Sequence, residues 1–355
     1  MAHHDIIVIG ASAGGVEAIS TIAAQLPRDL QAAVLIVLHL SKGRSLFPEI
    51  LNRVGRLPAA HPADGASLLY GRIYLAPPDH HMVVEGDTVR IVHGPTENGV
   101  RPAVDPLFRS AARTYGSRVI AIVLTGSLDD GTAGLAAVKE AGGIAVVQDP
   151  AEAFAPSMPR SAMQSVRIDH VLPVREIPLL LTALTREAVP AGSPGLGPHL
   201  RPMEPDLGKL PLAVTSTDRP GVVSVFSCPE CHGTLWEADE EGILRFRCRI
   251  GHVYSPDSML AAQTDSVDRA LWAALRSLEE RAALTRKMSE RARSRQHGWV
   301  ARAFEDRARA AEEHAAVVRH LLMNRAAGHI VPDHTDTPDS AIDAQVPEPA
   351  TGEQA

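Results

Sequence analysis

A serine on a glycine-rich turn is the first feature of this sequence that could carry chemistry. Ser12 lies in Gly-Ala-Ser-Ala-Gly at 10–14, after the apolar run 6–9 and before a helical pattern. The spacing Gly-x-Ser-x-Gly is typical of a sharp strand-to-helix turn that exposes the hydroxyl beside free backbone N–H groups. Because such N–H groups can stabilise an oxyanion, the turn predicts a serine nucleophile for acyl transfer.

Two other interpretations of this turn stay open at this point. A glycine-rich first turn often holds a phosphate or a dinucleotide. Here Ser12 replaces the middle glycine of that motif, and no acidic residue clearly ends a second strand about 20 residues later. A serine in this position can also simply cap a helix.

A nucleophilic serine needs a general base, and the base usually needs an orienting carboxylate. His39 ends the second predicted strand, and Asp129 and Asp130 follow a third strand. The alternatives are a histidine without a chemical role and aspartates that cap a helix. Since ligands bind at the carboxyl ends of strands in open α/β sheets, we interpret Ser12, His39 and one of the two aspartates as a triad. Less weight falls on three other histidines, expected in a loop or at the end of an edge strand: His80, His81 and His93.

The elements that must position these residues alternate between strands and helices. Continuous apolar runs at 6–9, 33–38, 119–124 and 144–147 are typical of parallel strands covered on both faces. Helical patterns lie between them, at 16–25, 105–115 and 132–140. The order predicts a doubly wound, mainly parallel α/β sheet. A small β excursion is predicted from three further runs, at 73–75, 82–85 and 89–92.

Together these motifs resemble the catalytic domain of the chemotaxis protein-glutamate methylesterase (CheB) family. The resemblance covers residues 5–186 and rests on four ordered motifs: Gly-Ala-Ser-Ala-Gly-Gly (10–15), His39, Arg-Pro-Ala-Val-Asp-Pro-Leu-Phe-Arg-Ser-Ala-Ala (101–112) and Leu-Thr-Gly-Ser-Leu-Asp-Asp-Gly (124–131). It implies a serine hydrolase that removes methyl esters from glutamate side chains of chemoreceptor helices and also deamidates receptor glutamines. By motif, Ser12 is the nucleophile, His39 the general base and Asp130 the orienting carboxylate, and catalysis needs no cofactor. The implied partners are the cytoplasmic helices of methylated chemoreceptors.

The sequence departs from the family pattern in four places. The family often has a threonine after the nucleophile, where this chain has Ala13, and His39 lacks the usual Met-Pro after it. The family loop Thr-Gly-Met-Gly reads Thr-Gly-Ser-Leu at 125–128, so Leu128 is expected to alter the oxyanion site. Family members usually carry a phospho-receiver domain before the esterase, and we expect none here because the first strand starts at Asp5. The changed loop keeps a non-catalytic signalling scaffold open as an alternative, and a small-molecule serine hydrolase or amidase on the same fold is a further one.

The three cysteines of the chain lie close together in the sequence, with a histidine beside them. The spacing is Cys-x2-Cys, sixteen residues, then Cys-x3-His, formed by Cys228, Cys231, Cys248 and His252. Three thiolates and an imidazole fit a tetrahedral zinc ion, and four protein ligands predict a closed, structural site. The segment is similar to a zinc-ribbon-like appendage of some stand-alone methylesterase relatives.

Three alternatives to this ligand set are open. Cys-Pro-Glu-Cys-His at 228–232 matches a c-type haem attachment motif, which would leave Cys248 unexplained. His232 could replace His252, although an imidazole adjacent to Cys231 is sterically less favourable. The cysteines could also be three reduced thiols in a small fold.

Composition and charge set the remaining expectations. The net charge of −7 shows no basic footprint for nucleic acid, and no apolar run is long enough to cross a membrane. Without an export signal we expect a cytoplasmic protein. The predicted organisation is a catalytic domain at 1–187, a Pro/Gly-rich linker at 188–221, a zinc-ribbon-like segment at 222–255, a helical hairpin at 256–328 that breaks at Gly298, and an acidic disordered tail at 329–355. The oligomeric state is not indicated by the sequence.

Overall fold

The computed structural model describes residues 2–40, 42–189, 221–240 and 242–328. The chain divides into two compact units, Met1–Asp265 and Ser266–Ala355. Most of the predicted linker and the whole predicted tail lie outside the described residues. Within the described residues, no helix combines the length and the apolar character needed to cross a bilayer.

The first unit is built on a seven-stranded sheet in which every pairing is parallel. Its spatial order is β11-β10-β9-β2-β3-β6-β4, with the strands Ile6–Ala11 (β2), Ala33–Leu38 (β3), Ala59–Ala60 (β4), Arg72–Leu75 (β6), Val119–Val123 (β9), Ile144–Gln148 (β10) and His170–Leu172 (β11). The two central strands β2 and β3 are buried along their whole length. This explains their continuous apolar sequence, since helices cover both faces of such a sheet.

Six helices form the two covering layers. They are Gly15–Gln25 (α1), Phe47–Val54 (α2), Val104–Tyr115 (α3), Thr132–Glu140 (α4), Ser157–Ser165 (α5) and Ile177–Leu184 (α6). Apolar residues of α3, α4 and α5 pack against one face of the sheet, and those of α1, α2 and α6 pack against the other. A short 3-10 helix, Gly116–Arg118, links α3 to β9. The predicted doubly wound α/β fold is confirmed.

Two small sheets accompany the main one. Ala2–His3 (β1) pairs with Ala188–Val189 (β12), and Ala66–Ser67 (β5), His81–Glu85 (β7) and Thr88–Val92 (β8) form an antiparallel sheet. The prediction for 73–75 was wrong in one respect, because these residues belong to β6 of the main sheet. An apolar run of three residues fits a buried parallel strand and an edge strand equally well.

The cysteine-bearing segment forms a four-stranded antiparallel sheet within the first unit. Its strands, in spatial order, are Val222–Ser227 (β13), Thr234–Glu240 (β14), Ile243–Cys248 (β15) and Val253–Tyr254 (β16). A small core surrounds the cysteines and includes Leu235, Phe246 and Tyr254. A core of this size provides little burial energy, so a metal would supply much of the folding free energy of the segment.

The second unit is an antiparallel helical hairpin. Helix α7 spans Pro256–Ser294, so its first ten residues belong to the first unit, and helix α8 spans Gly298–Gly328. The ion pairs Arg286–Glu312 and Arg293–Glu305 step in opposite directions along the two helices, as antiparallel packing requires. The predicted break is displaced slightly: Gly298 begins α8, and the turn is made by residues 295–297 with Gln296 in the left-handed region at φ 61°.

Candidate active site and metal centre

The predicted nucleophile sits on the sharp turn between β2 and α1. Strand β2 ends at Ala11 and helix α1 starts at Gly15, which leaves three residues for the turn. The Gly15 N–H donates to the Ser12 carbonyl at 2.9 Å, and the Ser12 N–H donates to the Thr125 carbonyl at 2.9 Å. These bonds fix the serine at the carboxyl end of the sheet.

The loop after β9 holds the serine turn from the other side. The Thr125 hydroxyl donates to the Ala13 carbonyl at 2.8 Å. Gly126 packs so closely on the turn that a Cβ there would lie 2.9 Å from the Ser12 Cβ and 2.0 Å from Met158 Sδ. Glycine at 126 is therefore required by a close approach of two loops, and this approach ties the position of Ser12 to the loop that carries Asp130.

The structure joins the predicted base to the predicted carboxylate. His39 follows β3, next to the serine turn, and its N–H donates to the Ala11 carbonyl at 3.1 Å. The His39 ring is hydrogen-bonded through Nε2 to Asp130 Oδ2 at 2.7 Å. Among the described residues the Ser12 hydroxyl makes no hydrogen bond. Catalytic hydrogen bonds of this kind often tighten only when substrate is bound.

Asp130 is buried and accepts hydrogen bonds on both oxygens. Oδ2 accepts from His39 and from the Val104 N–H at 2.7 Å, and Oδ1 accepts from Asn98 Nδ2 at 3.0 Å and from the Asp105 N–H at 3.3 Å. Burial disfavours its charge, but the hydrogen bond and charge of His39 and the Val104 N–H keep the pKa of this carboxyl below its usual range. The carboxylate is therefore held ionised beside the histidine.

Two aspartates cap each other's helices at this point. Asp130 precedes α4 and accepts hydrogen bonds from the first backbone N–H groups of α3. Asp105 lies in the first turn of α3 and accepts from the N–H groups of Gly131 (3.1 Å) and Gly134 (2.7 Å) at the start of α4. Carboxylates at helix N-termini satisfy otherwise unpaired N–H groups and interact favourably with the helix dipole. A Cβ at Gly134 would lie 2.6 Å from Phe108 Cβ, so glycine allows the two helices to meet this closely.

Asp129, the other candidate carboxylate, is placed differently. Its Oδ1 accepts a hydrogen bond from the Ser255 hydroxyl at 2.7 Å, and His39 contacts Asp130 instead. Burial raises the pKa of Asp129. The geometry thus favours Asp130 over Asp129 as the partner of His39, as the resemblance implied.

Leu128 adopts the conformation for which a glycine is best suited. Its φ is 61°, in the left-handed region, where a residue with a side chain costs roughly 1–2 kcal/mol. The loop thus makes a left-handed turn at the position where the family pattern has glycine. Leucine is accommodated with backbone strain and leaves a partly exposed apolar side chain beside Asp129 and Asp130.

The four predicted metal ligands converge in the cysteine-bearing segment. The ligand atoms of Cys228, Cys231, Cys248 and His252 all lie within 4.8 Å of one another. His252 presents Nδ1 to the Sγ atoms of Cys228 and Cys248, each at 3.5 Å. His232 instead occupies a left-handed turn position at φ 59° and is not part of the cluster. Such a Cys3His cluster is compatible with a structural metal ion.

The surroundings of the cluster fit a metal-bound histidine. With Nδ1 facing the thiols, Nε2 of His252 lies 3.4 Å from Oε2 of Glu230, whose other oxygen, Oε1, accepts from the Tyr254 hydroxyl at 2.8 Å. Histidines that bind metals usually pair their other nitrogen with a carboxylate in this way. Burial, followed by the neighbouring thiols of Cys228 and Cys231, raises the pKa of Cys248 to about 12. A cation would stabilise the deprotonated form of these clustered thiols, of which those of Cys228 and Cys248 are buried.

The cysteine-bearing segment packs directly on the catalytic domain. The Asn98 N–H donates to the Val253 carbonyl at 2.7 Å, the Val253 N–H donates to the Thr96 carbonyl at 3.3 Å, and the Thr96 hydroxyl contacts Glu230. Residues 222–255 therefore contact the catalytic domain, although a Pro/Gly-rich linker is predicted between the two. A Pro/Gly-rich composition predicts an extended connection, but it does not indicate where the following segment packs.

Several residues of this site were not predicted as functional. Asn98 and Asp105 contact Asp130, and Arg245 of β15 forms an ion pair with Asp105 at 3.1 Å. Asp105 belongs to the motif at 101–112, so the sequence already indicated an acidic residue at the start of a predicted helix. Nothing in the sequence distinguishes such an acid from an ordinary exposed helix cap, and its burial appears only in the structure.

Comparison with known proteins finds relatives of one family. The family model described as "CheB methylesterase" matches residues 7–181. A protein of Leptospira interrogans serovar copenhageni, provisionally named a protein-glutamate methylesterase/protein-glutamine glutaminase, is 36% identical over 184 residues, which are 51% of this chain and 95% of that protein. Proteins of Anaeromyxobacter dehalogenans (38% identical, 51% of this chain) and Pseudomonas aeruginosa (39% identical, 53% of this chain), named protein-glutamate methylesterase/protein-glutamine glutaminase 2, are each matched over 54% of their length.

A solved structure is also similar to the first half of the chain. The Thermotoga maritima CheB methylesterase catalytic domain is 32% identical, with a TM-score of 0.49, over 51% of this chain and 98% of that domain. The chain spans about half the length of the two longer relatives, so their similarity concerns the esterase part. The family model and the Leptospira relative, covered almost completely, establish that this chain belongs to the CheB methylesterase family.

Proposed function

We propose that this chain is a serine hydrolase that removes methyl esters from glutamate side chains of chemoreceptors and deamidates receptor glutamines. Its catalytic residues are Ser12, His39 and Asp130. The observation that carries the proposal is the 2.7 Å hydrogen bond between His39 and the buried Asp130, beside the Ser12 turn, in a chain of this family. The names of the relatives support both activities.

The hydrogen bond to Asp130 supports a different role for each ring nitrogen of His39. The ionised Asp130 carboxylate can only accept, so His39 carries its proton on Nε2 and keeps the lone pair of Nδ1 free. Nδ1 takes the Ser12 proton as Oγ attacks the ester carbonyl, and the resulting imidazolium gives that proton to the leaving methoxide. Water then attacks the acyl-enzyme with the same base and releases the glutamate. With a glutamine substrate the leaving group is ammonia.

Two backbone N–H groups are suited to stabilise the oxyanion. The N–H groups of Ala13, directly after the nucleophile, and of Ser127, on the opposing loop, have no acceptor among the described residues. The residue after a nucleophilic serine commonly supplies one such donor. Loss of a single donor of this kind costs about 10²–10³-fold in kcat. The left-handed turn at Leu128 shapes the second donor's loop.

The metal in this proposal is a structural zinc ion. Cys228, Cys231, Cys248 and His252 supply four soft or borderline ligands, which leaves no open coordination position for substrate or water. Zinc would stabilise the fold of the segment, and catalysis by the triad needs no cofactor. No step of the hydrolysis passes through the metal.

The partner in this proposal is the cytoplasmic helical region of a methylated chemoreceptor, and the site of action is the cytoplasm. The family supports this substrate class. The exposed Phe154 contacts the nucleophile turn, since its Cβ lies 2.7 Å from a Cβ built on Gly14, so an apolar ring lies beside the site where a receptor helix would dock.

The test is release of methanol from a chemoreceptor cytoplasmic fragment methylated with labelled methyl groups. The full chain is used, because the metal-binding segment packs on the catalytic domain. We expect methanol release by the unaltered chain and none above background by Ser12→Ala. A chain that binds the receptor without releasing methanol would support a scaffold, whereas hydrolysis confined to small esters would support a small-molecule hydrolase.

A further inference from the structure

The metal-binding segment, here strands β13–β16 with Ser255 and the first turn of α7 (residues 222–258), reaches the neighbours of Asp130 without containing a proposed catalytic residue. Two routes lead to Asp130, through Asn98 and through Asp105, and the Ser255 hydroxyl also bonds Asp129. Asn98, Asp105 and Asp129 belong to the esterase domain, and each lies next to Asp130 in space or in sequence. The segment is therefore more than an appendage that packs on a distant face.

The first route is the side-chain amide of Asn98, which is buried and has hydrogen-bond partners on both its nitrogen and its oxygen. Its Nδ2 donates to Asp130 Oδ1 at 3.0 Å and to Asp105 Oδ2 at 3.1 Å, while its Oδ1 accepts from the Ser255 N–H at 3.1 Å and from the Ser258 hydroxyl at 3.2 Å. An amide held this way cannot rotate, because a flip would turn its NH2 group toward two donors. Ser255 and Ser258 thus decide that Asn98 presents a donor to the catalytic carboxylate.

The two serines are themselves fixed by the start of α7. The Ser255 N–H donates to the Ser258 hydroxyl at 2.9 Å, and the Ser258 N–H donates to the Ser255 hydroxyl at 3.1 Å. This reciprocal pattern is a capping box, with Pro256 at the first helical position, where its missing N–H is not needed. The Ser255 hydroxyl also reaches Asp129 at 2.7 Å. Local helix geometry therefore sets the positions of both donors.

The second route is Arg245 of β15, which is buried to 1% exposure. Its guanidinium pairs with Glu97 and lies 3.1 Å from Asp105 Oδ2. Burial raises the pKa of Asp105 to about 7; Arg245 opposes this shift, whereas Asp130 and Glu97 add to it. Without the guanidinium, Asp105 and Asp130 would be two adjacent buried carboxylates that repel each other. The other titratable or charged groups around them are His39, Glu97, Arg109 and Asp129. Arg245 thus supplies the charge that lets both carboxylates stay in place.

We propose that the metal-binding segment completes the active site, with Arg245 and Ser258 as positioning residues that hold Asp130 through Asp105 and Asn98. The inference rests on the proposed function, because it assigns Asp130 to the triad. The proposed triad lies within the esterase domain, and the segment supplies part of the frame that orients it.

The test measures the triad directly, through the rate at which a fluorophosphonate probe labels Ser12. The readout does not depend on the receptor substrate, and Ser12→Ala gives the background. The variants are Arg245→Met and Ser258→Ala in the full chain. Their matched controls are Arg247→Met, from the same strand but paired with Glu240, and Ser277→Ala, from an exposed position of α7.

We expect the limiting labelling rate to fall about 10–100-fold in Arg245→Met and by a smaller factor in Ser258→Ala, since misplacement of a catalytic group by about 1 Å can cost 10²-fold. The half-saturating probe concentration should stay within twofold, and Arg245→Lys should recover part of the loss. Zinc content and circular dichroism establish that the variants are folded. If Arg245→Met does not fold, Ser258→Ala against Ser277→Ala decides.

Two outcomes would overturn the inference: labelling rates equal to those of the matched controls, or losses that only follow the fraction of unfolded protein. Failure of the proposed function gives a different pattern. In that case the unaltered chain is labelled at Ser12, with the same dependence on Arg245, but releases no methanol from methylated receptor. A chain whose Ser12 is not labelled at all would overturn both.

Discussion

Replacement of Asp130 by asparagine tests the site most sharply, because this side chain faces hydrogen-bond donors on both oxygens. Oδ2 faces His39 and the Val104 N–H, and Oδ1 faces Asn98 and the Asp105 N–H. In either orientation, the NH2 group of Asp130→Asn is directed at two donors. At least two hydrogen bonds to an ionised group are lost, at about 1–2 kcal/mol each, so the free energy of unfolding should fall by roughly 2–4 kcal/mol.

The same change should disable the base. An amide NH2 facing His39 favours the tautomer with the proton on Nδ1, which then has no lone pair for Ser12. A wrong tautomer of this kind lowers kcat by about 10⁴-fold, less than the loss expected for Ser12→Ala. The measurements are methanol release from methylated receptor and thermal unfolding by circular dichroism, where the stability loss corresponds to a decrease in Tm of roughly 5–15 °C.

Asp129→Asn is the matched control. Its side chain accepts from the Ser255 hydroxyl, and burial already raises its pKa, so a neutral amide should be tolerated there. We expect kcat within about tenfold and a stability change below about 1 kcal/mol, as for a single neutral hydrogen bond. A larger loss of kcat in Asp129→Asn than in Asp130→Asn would refute the reasoning and exchange the roles of the two aspartates.

Three further predictions concern the turn, the loop and the metal. Ser12→Ala should abolish hydrolysis and leave the Tm within about 2 °C, because a small side chain is replaced on a tight turn; near-full turnover would disprove the nucleophile. Leu128→Gly should raise the free energy of unfolding by about 0.5 kcal/mol, since the relief of left-handed backbone strain exceeds the entropic cost of an added glycine. Denaturant unfolding measures this change. A clear loss of stability would show that the leucine side chain contributes packing. The purified chain should contain one zinc ion, and a chelator should remove this ion more readily at pH 6 than at pH 8. The reason is that the thiols must lose protons to bind metal. Burial and the neighbouring thiols raise the pKa of Cys248 to about 12. Zinc removal should lower the Ser12 labelling rate as well, and elemental analysis without stoichiometric zinc would contradict the site.

The sequence was sufficient wherever a local pattern has one structural meaning. The run 33–38 was predicted as a strand and is one, because six consecutive buried apolar residues require a sheet covered on both sides. The Gly-x-Ser-x-Gly turn likewise predicted its own position at the end of β2. The Cys3His cluster was predictable from spacing, since two short turns each supply two of its members.

The sequence was insufficient where the meaning of a residue depends on a distant partner. Arg245 lies in a strand with charged neighbours and resembles a solvated residue, but its partner Glu97 is 148 positions away in the chain. Asn98 has no distinguishing neighbours in the sequence. Its role follows from two distant acceptors, Asp105 and Asp130, and from the donors Ser255 and Ser258. The run 73–75 failed for the opposite reason, because it is too short for its periodicity to identify a sheet.

The mutual capping of α3 and α4 has a consequence for when the enzyme can become active during synthesis. Ser12 and His39 are made early and lie on adjacent strands, but the Asp130 carboxylate can be placed only after both helices have docked. The proposed triad therefore requires closure of a loop of 91 residues between His39 and Asp130. A nascent chain that has folded only its first βαβ unit would expose Ser12 without an oriented base, so we expect no ester hydrolysis before α3 and α4 have docked.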